Sequence, residues 1–195
     1  MALRALPVLR EHCARGAVLF STTRYVLSNY FNPSEEKHAA IYFGRELPEF
    51  LLRERVLFPC PDGLRDDEHY VLEFNTQGMR AVPLRDFLHA RHSLKVYYYT
   101  DAAVPDTETM ARAAGFAFDD MEKDYGFGPD MSYCFKTVAR CYARVGVRVR
   151  ALSLLGRGVV LSQSFTRDPR WLCVYDSERG TTMLPWSGNF LEWKL

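Results

Sequence analysis

The sequence predicts an α+β fold, and three features lead there. Short apolar and aromatic runs come first along the chain, the strongest helical pattern comes late, between Cys134 and Gly146, and further apolar runs follow it. That order fits segregated strands and helices better than the regular alternation of a doubly wound parallel sheet. The 195 residues are 48% hydrophobic and no linker-like stretch divides them, so one domain with a real core is expected over 1–195.

Each element has a local reason. MALRALPVLREHCARGAVLF reads as a short turn or helix, then a strand near Ala17–Phe20. STTRYVLSNYFNPSEE is polar and aromatic and reads as a loop or short helix with an Asn-Pro turn signal. KHAAIYFG is a short apolar strand closed by Gly44. The stretch at about 45–69 is insertion-like, with several prolines and a Pro-Asp-Gly turn signal. YVLEFNTQGMRAVPLRDFLHA gives a strand, a Gly turn, a second strand ending at Val82-Pro83-Leu84, and a short helix. LKVYYYT is an aromatic-rich strand. Asp106 or Thr107 caps a helix of modest length. In PDMSYCFKTVARCYARVGV, the residues Cys134, Val138, Cys141, Tyr142 and Val145 recur at helical spacing, and Gly146 ends the helix. GVVLSQSF and RWLCVYDSERGTTMLPW supply one or two more strands.

Composition excludes several classes of function. A net charge of +1 with dispersed basic residues gives no electrostatic case for nucleic-acid binding. No run approaches the roughly 18 apolar residues of a membrane span, and the first twenty residues lack the apolar core of a signal peptide. A soluble protein made in the cytosol is expected, with contact at a membrane surface left open. Five cysteines without a CxxC pair point neither to a disulfide scaffold nor to zinc. Cys134 and Cys141 lie about 10 Å apart along one helix, beyond disulfide reach. No glycine-rich loop follows a strand, so no cofactor is expected.

Position separates those two cysteines chemically. Cys134 falls in the first turns of the helix, where unpaired N–H groups and the macrodipole favour a thiolate. Cys141 lies two turns deeper and should be inert. A nucleophile needs a base and a third group to orient the base. Of the five histidines, His69 reads as part of a charged loop, and only His38 stands at the entry of an apolar strand, a rigid platform. Glu73 interrupts the apolar run YVLEF, and an acid there needs a partner. Each residue also has a plainer reading: a small core thiol, a structural histidine, and the polar face of a half-buried strand.

Taken in order, KHAAIYFG, VLEFNTQGMRAVPLRDFL and YGFGPDMSYCFKTVARCYARVGV resemble the circularly permuted branch of the NlpC-type papain-like superfamily. That is the branch of YiiX-like proteins, with lecithin:retinol acyltransferase as a more distant relative. The matches are His-x-x-Ile-Tyr at His38, Ile41 and Tyr42, then Val71 to Glu73, Gly78, Pro83, Leu84 and Phe87, then Tyr133-Cys134 with Gly146 at the helix end. GAVLF at Gly16–Phe20 is similar to the family's first strand. The segment YCFK and the chain's size resemble the poxvirus branch, which implies a viral protein of host cytoplasm or virion.

The resemblance implies a papain-like fold, with the cysteine-bearing helix packed on an antiparallel sheet that carries the histidine. It implies a thiol hydrolase or acyltransferase with Cys134 as nucleophile, His38 as base and Glu73 as the orienting acid. The substrate would be an acylated small molecule, lipid or peptide. Tyr133, Tyr125 and Lys136 are secondary candidates for oxyanion or substrate binding. Two departures bear on the substrate: Phe135-Lys136 replaces the family's Ser-Glu after the cysteine, and Gly16-Ala17 replaces its Gly-Asp. The alternative is a non-catalytic member of the same fold that binds a lipid or a host protein. A virion protein with a coincidental residue order, and a metal site, are weaker rivals.

Overall fold

A computed structural model describes residues 2–23, 33–59, 63–154, 156–186 and 189–194. Among these, a 3-10 turn at Ala2–Ala5 runs into helix α1 (Leu6–His12). Strands β1 (Val18–Thr22) and β2 (His38–Gly44) follow, then helix α2 (Leu47–Arg53). The hairpin β3 (Tyr70–Asn75) and β4 (Gly78–Pro83) leads directly into helix α3 (Leu84–His89). Strand β5 (Ser93–Asp101) and the short β6 (Val104–Pro105) precede helix α4 (Thr107–Gly115). Helix α5 (Cys134–Ala143) is followed by the hairpin β7 (Leu152–Leu154) and β8 (Arg157–Val159), and by helix α6 (Gln163–Thr166). Strands β9 (Trp171–Asp176), β10 (Thr181–Trp186) and β11 (Asn189–Lys194) end the chain.

The main sheet runs β11-β10-β9-β5-β1-β2-β3-β4, with β6 paired to β5, and its neighbouring strands pair antiparallel. The fold is therefore α+β, as the strand and helix order predicts. The first strand of the chain sits in the middle of the sheet, between β2 and β5. Its buried residues, Val18 to Ser21, explain the unbroken apolar reading of GAVLF.

Helix α5 packs on β2 and β3 and against α4. It buries Phe135, Val138, Cys141 and Tyr142, the stripe expected from its spacing. Each such side chain stabilises the fold by about 1.5–3 kcal/mol. A buried carboxylate ties the segment ahead of α5 to the helix. Asp120 accepts from Ser132 Oγ at 2.6 Å, Thr137 Oγ1 at 2.9 Å and Arg140 at 2.9 Å. On the α4 side, Asp106 is the N-cap, accepting from the Thr109 N–H at 2.9 Å.

Four local readings differ from the structure. The excursion at 45–69 contains helix α2, which buries Leu47 and Leu51 and so joins the core. The segment LSQSF is helical from Gln163: Ser164 Oγ accepts the Leu161 N–H at 3.1 Å, and Ser162 donates its N–H to Ser34 Oγ at 2.8 Å instead of joining a strand ladder. The tail adds three strands to the main sheet besides the β7–β8 hairpin, more than the one or two expected. His69, read as part of a charged loop, is buried; its Nδ1 meets Tyr42 Oη and its Nε2 accepts from Arg45 Nε at 3.0 Å. Residues 24–32 of STTRYVLSNYFNPSEE, expected as loop or short helix, and Pro61-Asp62 of the turn signal lie outside the described residues.

Candidate active site

The pairing of β2 with β3 brings the first two candidates together. Ala40 lies opposite Glu73, so His38 is the diagonal neighbour two residues away on the same face. His38 Nε2 and Glu73 Oε2 are 2.8 Å apart. Asn75, one alternation further along β3, donates its Nδ2 to Glu73 Oε1 at 3.2 Å. Cys134 also acts on His38, favouring its charged imidazole. With Nε2 engaged by Glu73, Nδ1 is the ring nitrogen left for the thiol.

Cys134 is the first residue of α5 and is buried. Tyr133 before it is extended, at φ −152 and ψ 163, and provides no side-chain cap. The first helical bond runs from the Thr137 N–H to the Tyr133 carbonyl at 2.9 Å. The amides ahead of it therefore start the helix without an intrahelical acceptor. Cys141 has a different environment: burial pushes its thiol far above the ordinary thiol range, and nearby Asp120 and Asp119 add to that.

Electrostatics couple the group. Burial opposes the charged imidazole of His38, but Cys134 and Glu73 together outweigh it and push His38 up to about 9. Burial pushes the Glu73 carboxyl upward, while His38 and then Arg91 and Arg80 reverse this and hold it below its ordinary value.

Arg91 is a residue that sequence reasoning missed. Its guanidinium donates to Glu73 Oε2 at 2.6 Å and to Thr23 Oγ1 at 3.0 Å, and lies 4.7 Å from the centre of the Phe87 ring. Glu73 thus has a cation on each side. A buried acid in a strand demands a partner, but nothing in HARHSLKV marks Arg91 as the one. Arg91→Leu is expected to lose about 2 kcal/mol of stability, below the cost of breaking a fully buried pair because His38 still faces Glu73. Urea unfolding checks this; an unchanged midpoint would show that Arg91 does not support Glu73.

A cleft of about 530 Å³ opens onto His38, Glu73 and Arg91. Tyr125 also lines it, with its ring stacked on Phe74 at 6.2 Å. Burial, with Cys134 and Tyr133 adding to it, pushes the Tyr125 phenol up to about 12, so it stays a neutral donor at physiological pH. Tyr133 accepts the Val160 N–H at 2.8 Å and stands in the wall of a neighbouring, more apolar cavity with Phe127 and Leu161. Lys136 reaches neither the cleft nor His38. Its ammonium donates to the carbonyls of Gly128, Pro129 and Met131 at 3.1, 3.2 and 2.7 Å, fixing the loop before the helix.

Comparison with known proteins agrees with this architecture. The family model for permuted papain-like amidase enzymes, the YaeF/YiiX or C92 family, matches residues 12–175. Protein OPG091 of Monkeypox virus and that of Vaccinia virus (strain Western Reserve) are each 34% identical over 173 residues, 89% of this chain and 91% of theirs. Protein OPG091 of Variola virus (isolate Human/India/Ind3/1967) is 32% identical over the same length. With a cysteine-headed helix packed on an antiparallel sheet, and with poxvirus relatives along most of its length, the chain belongs to the permuted papain-like amidase family.

Proposed function

We propose that this protein is a cysteine-dependent amidohydrolase or acyltransferase that acts on an acyl amide or ester through Cys134, His38 and Glu73. The observation that carries the reading is His38, in contact with Glu73 at 2.8 Å and favoured in its charged form by Cys134 as well. Cys134 Sγ, its proton held by His38, attacks the acyl carbonyl carbon and forms a C–S bond. The backbone N–H of Cys134 faces the oxyanion that develops, being at a helix start. His38 then gives its proton to the leaving nitrogen or oxygen as that bond to carbon breaks. Water, or the hydroxyl or amine of an acceptor, loses a proton to His38 and attacks the thioester carbonyl, and the thiol is released. Glu73 keeps the imidazole oriented and favours its charged form. Tyr125, a neutral phenol on the cleft wall, is the nearer of the two tyrosines to a substrate-binding role.

The substrate class is an acylated small molecule, lipid or peptide. The setting expected for the reaction is the host cytoplasm or the virion. Among the described residues, no helix is long and apolar enough to cross a membrane.

The test is alkylation of Cys134 by iodoacetamide across pH, in wild type and in His38→Ala, with the site identified by mass spectrometry. Cys134 is expected to react at neutral pH well ahead of Cys141. His38→Ala should slow it about tenfold, the effect of roughly one pKa unit. A Cys134 that reacts at the same rate with and without His38 would refute the pair and leave a non-catalytic binding protein of the same fold.

A further inference from the structure

The cleft in front of His38 holds more positive charge than the thiol chemistry uses. Lys37, Arg80 and Arg91 line it, against Glu73 and Asp86. Glu73 is already met by His38 at 2.8 Å and by Arg91 at 2.6 Å. Arg80 lies directly opposite Glu73 in the β3–β4 ladder, so it stands on the same face of the sheet as that carboxylate. Its side chain is exposed, and its NH1 donates to a neutral acceptor, Gln77 Oε1, at 3.1 Å. Lys37, next to the base in sequence, donates its ammonium to the Ser34 carbonyl at 2.7 Å. With His38 protonated, the imidazolium, Arg80 and Arg91 outweigh Glu73 and Asp86 in the cleft wall. Thr23, Asn75 and Thr76 add small polar groups to the same wall. The neighbouring cavity is walled mainly by apolar side chains, together with Lys136 and Arg157.

We infer that the cleft selects substrates carrying an anionic oxygen group, a carboxylate or a phosphate, close to the scissile carbonyl, with Arg80 as the residue that anchors it. A planar guanidinium suits either oxyacid through paired N–H donors. The inference rests on Cys134 being the nucleophile beside His38.

Two alkylating agents of similar size but different charge separate the two ideas. Iodoacetamide is neutral and iodoacetate carries a carboxylate. The readout is the ratio of their rates at Cys134 at neutral pH and physiological ionic strength, with N-acetylcysteine as the free-thiol reference. Wild type should favour iodoacetate more than the reference does. Arg80→Gln should lower the ratio by about threefold, the scale of one screened charge pair. Arg53→Gln removes the same charge from a different cavity and should leave the ratio alone. A ratio unmoved by Arg80→Gln, or moved equally by Arg53→Gln, overturns the inference. The iodoacetamide rate in His38→Ala tests the thiol chemistry by itself, so either idea can fail without the other. Acetate and phosphate, added separately at constant ionic strength, identify the group: the anion that protects Cys134 in wild type and fails to do so in Arg80→Gln is the one read. Protection that persists in Arg80→Gln also overturns the assignment of the anchor.

Discussion

Gly16→Ala is expected to destabilise the protein by more than about 4 kcal/mol, the range reached only when backbone itself must move. Gly16 has φ +90, a conformation that side-chain-bearing residues rarely adopt. A Cβ placed there would lie 1.9 Å from the Met110 carbonyl oxygen and 2.2 Å from its carbon, both backbone atoms of α4. No rotamer change relieves that clash; the helix must retreat. The same residue donates its N–H to the Tyr42 carbonyl at 2.7 Å and accepts from Tyr142 Oη at 2.7 Å. One substitution therefore disturbs β2, α4 and α5 together. Gly78→Ala is the matched control, since Gly78 has φ +89 with no atom within 4 Å of the added carbon. It should cost only about 1–2 kcal/mol, the conformational part alone. Equal losses for the two variants in chemical unfolding would show that α4 yields without cost.

The protonated imidazole of His38 should persist to unusual alkalinity. Its ring resonances are expected to titrate with a midpoint near 9, against about 6.5 for an ordinary histidine. Because the folded value lies above the unfolded one, the stabilisation is complete below pH about 6.5 and disappears as pH rises through the folded midpoint. The loss amounts to about 3 kcal/mol. The 16% exposure of the His38 side chain leaves little solvent screening to reduce it. Cys134→Ala removes one of the two groups that hold the proton, so the midpoint should fall and the alkaline loss should shrink. NMR titration of both proteins checks this. A midpoint between 6 and 7 in wild type would mean that the imidazole is not held between thiol and carboxylate.

His69 works in the opposite sense. Burial, with Arg45 and Arg10 nearby, holds its pKa below the ordinary value. Its contribution is present above pH about 6.5 and is lost as pH falls through the lower folded value. Stability should therefore decline on the acid side as well. His69→Asn is expected to flatten that acid limb and leave the alkaline one; a variant with an unchanged acid limb would remove His69 as its source.

How much of this was legible in the sequence varies by element, for physical reasons. Strand β2 and the β3–β4 hairpin could be read because apolar runs closed by Gly44 and turned at Gly78 carry their own boundaries. Helix α5 could be read because its buried residues repeat at helical spacing and Gly146 ends it. The sequence order of His38, Glu73 and Cys134 was visible, since each stands at an element edge or interrupts an apolar run. The 2.8 Å contact of His38 with Glu73, however, depends on the β2–β3 register, which needs both strands in place. Arg91 was not legible: its role depends on where the turn after α3 aims a side chain, and local pattern does not encode that. Lys136 was misleading because it lies two residues from Cys134 in sequence, while its ammonium turns back to the 128–131 loop. His69 was hidden among charged residues whose backbone loops over the end of β2.

The placement of β1 at the centre of the sheet has a consequence for how the chain is made. During synthesis β1 and β2 emerge early and can pair as a hairpin, and β3 and β4 can follow. The other edge of β1 stays open until β5 arrives, and β5 in turn waits for β9. Cys134 emerges only after β5, on a helix that needs the β2–β3 surface already formed. A nascent chain therefore assembles imidazole and carboxylate before it holds a thiol to activate. Such non-local pairing makes for slow folding and long exposure of unpaired strand edges. The thiol of Cys134 would meet the imidazole once its helix packs on β2 and β3, before β9, β10 and β11 complete the sheet.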